Sequence, residues 1–129
     1  MIVVYYGSSS RPSRQAVAWF EEYRMQISQK RIEQITRADL VHILSISENG
    51  FLDIIKSAKG SGTRIHKVRN YISILNFDEA VDCLMEHTDV LRVPIIFDKQ
   101  RLVIGYHPDS IRVFIAKEYR RSKGFQNIL

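Results

Sequence analysis

Residues 5–20, YYGSSSRPSRQAVAWF, decide the fold of this chain. They complete a compact apolar run, Ile2 to Tyr6, whose β-branched and aromatic residues are those of a buried strand. Gly7-Ser8-Ser9-Ser10 then reads as a turn. Ser10 suits a helix N-cap, because its hydroxyl can accept from an N–H that the first helical turn leaves unpaired. Pro12 fits that first turn, where its missing N–H is not needed. Ala16, Trp19, Phe20 and Tyr23 recur at helical spacing, while Arg14, Gln15, Glu21 and Glu22 face elsewhere, so an amphipathic helix follows. Met25 and Ile27 alternate with polar neighbours and predict a second strand over 25–30. The opening unit is β-α-β.

Further along, Thr36 can cap a helix to about Leu44, with Leu40, Val41, Ile43 and Leu44 on its apolar side. SISENG (45–50) breaks it and FLDIIKSA (51–58) supplies one short helix more. KGSGT (59–63) is a connection, and RIHKVRNYISI (64–74) is expected to form short helical pieces. Asn76 with Glu79 three residues on is a capping-box pattern. Phe77, Ala80, Val81 and Leu84 form the buried stripe of that helix, which runs to about His87. Val93 to Phe97 is a strand introduced by Pro94. Asp98-Lys99-Gln100 turns it, and Leu102-Val103-Ile104 returns as the second arm of an antiparallel hairpin. Pro108-Asp109 starts a final helix through Ile111, Val113, Phe114 and Ile115. After Tyr119 the chain reads as a loose polar tail.

The 129 residues suffice for one domain with its own core. At 45% apolar and 26% charged the composition is that of an ordinary globular protein. No apolar stretch approaches the roughly 20 residues of a membrane span, and MIVVYYG lacks the marks of a signal peptide, so a cytoplasmic protein is expected. The net charge of +5 favours acidic partners only weakly, since the basic residues are spread along the chain. The dense cluster is terminal: Lys117, Arg120, Arg121 and Lys123. It offers non-specific phosphate contacts to DNA, salt-dependent and without base reading, though a solvated tail is the plainer reading. A single cysteine, Cys83, excludes an internal disulfide and reads as a helical packing residue. No metal-ligand spacing or phosphate-cradling glycine motif is present, so neither metal nor cofactor is expected.

The order β-α-β, helical block, helix, β-β, helix is the thioredoxin plan: an α/β fold with a mixed sheet flanked by helices and an inserted helical subdomain. The expected layout is one unit over 1–129, its thioredoxin-like part at about 1–33 and 76–119, its insert at about 34–75 and a flexible basic tail at 120–129. Within this plan YYGSSSRPSRQAVAWFEEY, ILSISENGFLDII and LRVPIIFDKQRLVIGYHPDSIRVFI resemble the Spx/arsenate-reductase-like (ArsC) family, and within it the transcriptional regulators of the Spx type. The resemblance reaches to about Tyr119 and is most specific in the Pro-Ile-Ile hairpin. It implies a stress-response regulator that binds the C-terminal domain of the RNA polymerase α subunit. It also implies a Cys-x-x-Cys redox switch at the start of the first helix.

Here those switch positions are Ser10 and Ser13. A thiol at a helix N-terminus has a lowered pKa, whereas a serine hydroxyl gains too little from the same dipole to ionise and needs a base beside it. No histidine is near in sequence, so only folding could bring His42, His66, His87 or His107 to it. The resemblance also places an arginine immediately before the proline in arsenate reductases. That position is Val93, with Arg92 one residue earlier and, by strand alternation, on the opposite face. Pro94 is the expected cis-proline, a structural element of the groove. An enzyme is therefore not expected. The alternatives are an arsenate-reductase-like or glutathione-dependent thiol oxidoreductase, inactive as sequenced, or a pseudo-enzyme adaptor. The resemblance carries partner contact to Gly50, with Glu48 and Asn49 in the same turn; Tyr5 and the start of the first helix are expected at the same end of the fold, extending that surface. A basic residue of Spx proteins at the end of the preceding helix is Ser45 here, which bears on affinity.

Overall fold

The computed structural model describes residues 1–57 and 63–116. Its sheet has the order β2-β1-β3-β4. β1 (Ile2–Tyr6) and β2 (Ile27–Arg31) run parallel on either side of α1 (Arg11–Glu22). β3 (Ile95–Phe97) pairs antiparallel with β1, and β4 (Leu102–Ile104) antiparallel with β3. Between β2 and β3 lie α2 (Arg37–Ile46), α3 (Phe51–Ile54), α4 (Thr63–Ser73) and α5 (Phe77–Glu86), and a 3₁₀ turn closes the described chain at Ser110–Phe114. This is the expected thioredoxin-like mixed sheet with flanking helices. Among the described residues no helix is long and apolar enough to cross a membrane.

Side chains alternate across a strand, so each strand feeds two cores. Val4, Ile96 and Val103 join Ala16, Trp19 and Phe20 of α1 with Ile111 and Phe114. Tyr5, Ile95 and Phe97 point the other way, among Leu40, Ile43, Ile54, Val81 and Leu84. The helices between β2 and β3 thus share a core with the sheet. Three helices start at the expected caps: Ser10 Oγ accepts from Ser13 N (3.1 Å) at α1, Thr36 Oγ1 from Asp39 N (3.1 Å) at α2, and Asn76 and Glu79 form a complete capping box at α5. The segment after α3 is stitched to the approach of β3 by Lys56 N to Val90 O and Arg92 N to Ile54 O, both 2.8 Å.

Four expectations are corrected. Residues 64–73 are not short pieces but part of the single helix α4, whose buried Val68 and Ile72 stand four apart and face the core. Phe77 does not belong to a buried stripe: it is 48% exposed, because the first turn of α5 reaches past the core. The final helix is only the 3₁₀ turn, whose cap residue Asp109 offers no side-chain hydrogen bond. β2 starts two residues later than expected, because residues 23–25 are taken up in closing α1. Arg24 N bonds Glu21 O and Met25 N bonds Phe20 O, both 3.0 Å, which is a Schellman closure. Arg24 sits at its left-handed position with φ 56°, where glycine is the usual residue.

A left-handed non-glycine residue costs about 1–2 kcal/mol, of which glycine's greater unfolded entropy returns about half. Arg24→Gly is therefore expected to raise stability in urea by about 0.5–1 kcal/mol. Unchanged or lowered stability contradicts this account of the closure.

Candidate functional site

The turn between β1 and α1 is shaped by close packing. Ser10 N bonds back to Gly7 O at 3.1 Å, and a β-carbon on Gly7 would lie 2.9 Å from Val93 Cγ2 and 3.3 Å from Ser10 Cβ. Val93 therefore presses on the turn, and glycine is what lets the chain pass. The Val93–Pro94 bond is cis, as expected. Pro94 O accepts from Gly105 N at 2.8 Å, fixing the far end of the hairpin against it.

The Ser10 and Ser13 hydroxyls both have backbone partners. Ser10 Oγ caps α1 as described, and the buried Ser13 Oγ accepts from Gly7 N at 3.2 Å. Among the described residues neither oxygen bonds an imidazole or a carboxylate. His42 Nε2 is instead 2.8 Å from Asp98 O, His87 Nδ1 is 3.0 Å from Arg64, and His107 Nε2 lies beside Gly105. The turn holds serine oxygens as acceptors and supplies no base to make them nucleophiles.

Arg92 and Val93 diverge, although both precede β3, which starts at Ile95 and not at Val93 as expected, because the cis Val93–Pro94 bond turns the chain there. While Val93 packs on Gly7, Arg92 Nε donates to Ile55 O at 2.9 Å. Arg92 lines a groove of about 270 Å³ with Lys56, Ser57, Ile104 and His107. Its basic character was not legible from the strand pattern, since Lys56 and His107 come from two distant loops.

Tyr5 is corrected. Its side chain has no exposure, so it belongs to the core and not to a docking surface. Its hydroxyl donates to Asp39 Oδ2 at 2.5 Å, and Lys30 Nζ lies 3.8 Å from the same oxygen. Burial, reinforced by the Asp39 carboxylate, pushes the Tyr5 hydroxyl up to about 12.

Gly50 opens α3 with φ 64° and ψ −130°, a conformation that side-chain-bearing residues rarely adopt. Nothing lies within 4 Å of where its β-carbon would be. Gly50 therefore combines a torsional need for glycine with open space in front of the backbone. Its turn is fastened by Asp53, which accepts from Asn49 N (2.8 Å) and Asn49 Nδ2 (3.2 Å). Glu48 and Asn49 are exposed beside it. Ser45 is exposed in the last turn of α2 and donates to His42 O at 2.6 Å. One feature of this face escaped the sequence reading: Leu52, the residue after Phe51, is 62% exposed. A four-residue helix cannot turn every side of FLDII inward.

Cys83 is half-buried on α5, and burial together with Glu86 pushes its thiol pKa up, as suits a packing residue. Among the described residues no cluster of His, Cys, Asp or Glu could hold a metal ion. The basic cluster at Lys117, Arg120, Arg121 and Lys123 lies outside the described residues.

With this geometry in view, the similarities to known proteins are specific. The chain belongs to the ArsC family, whose profile matches residues 5–114, from β1 to the closing 3₁₀ turn. It is 34% identical over 130 residues to the global transcriptional regulator Spx 1 of Lactococcus lactis, covering 99% of each protein. To the global transcriptional regulator Spx of Streptococcus pneumoniae it is 31% identical, covering 95% of this chain and 92% of that one. A Staphylococcus aureus protein solved by NMR superposes with a TM-score of 0.75 at 18% identity, over 90% of this chain and all of that one, 100%. An arsenate reductase from Vibrio cholerae does so with 0.58 at 16% identity, over 87% and 92%. At such identities the two structures speak for the fold alone.

The packing at the turn makes a direct prediction. Gly7→Ala forces a methyl onto Val93, and overpacking of this kind costs about 1–2 kcal/mol. Adding Val93→Ala should recover more than half of that loss in a double-mutant cycle measured by urea unfolding. Strict additivity of the two changes contradicts the contact.

Proposed function

We propose that this protein is an Spx-like transcriptional regulator that docks on the C-terminal domain of the RNA polymerase α subunit through the Gly50 turn, and that it has no disulfide switch. The similarity to two proteins named as global transcriptional regulators, over nearly the whole chain, supports the regulatory reading. The observation that carries the docking part is the open space in front of Gly50. A partner backbone or side chain can come close only where no β-carbon intervenes. The Asn49–Asp53 hydrogen bonds hold the turn in one shape before any partner arrives, which lowers the ordering cost of association.

Loss of the switch follows from the two serines. A disulfide needs two sulfurs, and Ser10 and Ser13 supply none. The arsenate-reductase alternative lacks its nucleophile for the same reason. Among the described residues no base bonds either hydroxyl, and Val93 stands where the resemblance puts the anion-holding arginine. The regulator then acts whenever it is present, so its control lies in abundance.

Titration of the isolated α C-terminal domain with the full chain tests this reading. Wild type is expected to bind. Gly50→Ala and Gly50→Arg suffer a similar torsional cost, about 1–2 kcal/mol, so a difference between them reports bulk at the contact. The alanine variant should lose about threefold in affinity and the arginine variant at least a further tenfold, the latter about 1.4 kcal/mol. No binding by wild type, or equal binding by both variants, contradicts the proposal.

A further inference from the structure

We infer that the docking face extends beyond the Gly50 turn to Leu52 and Phe77, and that the whole face fits a protein partner with an apolar cavity rimmed by lysine and arginine. This rests on the reading of Gly50 given above and names the chemistry of the surface that meets it. Phe51, the residue after Gly50, places its ring 5.8 Å from that of Phe77 across the α3–α5 contact. The turn and the start of α5 are thereby one continuous surface. On it Leu52 and Phe77 are 62% and 48% exposed. Two large apolar groups left out of a core on adjoining helix starts are what a buried interface centre requires.

The charge around them selects the occupant. Although the chain carries a net +5, the groups in this neighbourhood are acidic: Glu48 before the turn, Asp53 within α3, and Asp78 beside Phe77. Arg37 reaches Asp78 at 3.0 Å, but it also binds Asp82 at 2.6 Å, so one guanidinium is shared between two carboxylates. A nucleic acid or an anionic membrane would be repelled here. A second copy of this chain, docked about a two-fold axis, would set this acidic rim against itself. A basic protein face around an apolar cavity satisfies both features.

Calorimetric titration of the α C-terminal domain into the full chain, at 50 mM and 300 mM salt, tests the inference. Leu52→Ser and Phe77→Ser should each weaken binding about tenfold, as truncation of an interface anchor does. Glu48→Lys should weaken it also, and wild-type binding should fall at the higher salt. Tyr71→Ser, in the separate groove between α4 and α5, should bind as wild type. Because Phe77 packs on Phe51, melting temperatures accompany each variant, and the more exposed Leu52 decides if Phe77→Ser unfolds. If Leu52→Ser binds like wild type while Gly50→Arg does not, the extended face is wrong and the Gly50 reading survives. If wild type does not bind, both fall. If wild type self-associates in sedimentation and Leu52→Ser makes it monomeric, the face covers a second copy and the inference is overturned.

Discussion

The hydrogen bond from the Tyr5 hydroxyl to Asp39 joins the two halves of this molecule. β1 lies inside the sheet, with α1 on one face and α2 to α5 on the other, so the buried Val4 and Tyr5 side chains are cut off from water. A tyrosine there needs an acceptor, because an unpaired buried hydroxyl costs more than the bond itself contributes. Asp39 supplies it from the first turn of α2, where its own N–H is already held by Thr36. One side chain thus fixes the sheet, the start of α2 and, through Lys30, the neighbouring strand.

The Ser10–Ser13 turn is held separately, by its own local contacts. The turn after β1 is held by packing of Val93 on Gly7 and by bonds between serine oxygens and backbone N–H groups. Those are roles that a hydroxyl fills better than a thiol, since sulfur is the weaker acceptor. The turn survives as a structural corner. The surface that distinguishes the chain lies elsewhere, at the start of α3, where the backbone of Gly50 is open.

Much of this was readable from local pattern. Ser10, Thr36 and Asn76 were legible as caps, because capping depends on residues three positions apart. The hairpin of β3 and β4 was legible from two apolar runs around Asp98-Lys99-Gln100. α4 was not, since its apolar positions Ile65, Val68 and Ile72 are themselves β-branched and stand among His66, Lys67 and Arg69, which weakens the helical signal. Tyr5 was misplaced because a residue near a strand end reads as surface unless both faces of the sheet are known to be covered. Exposure of Leu52 and Phe77 depends on where the core ends, which periodicity along one element does not report. For Gly50, the letter indicated a turn, but the left-handed torsion and the empty space before it belong to three dimensions.

The central claim is that partner contact has its seat at the Gly50 turn and not at the Ser10–Ser13 turn. Amide chemical-shift mapping tests it most directly, with the labelled full chain followed as the unlabelled α C-terminal domain is added. The account predicts that shifts concentrate at residues 48–53 and at the start of α5, with Ser8 to Ser13 unmoved. Shifts centred on Ser8 to Ser13, or no shifts at saturating partner, would contradict it.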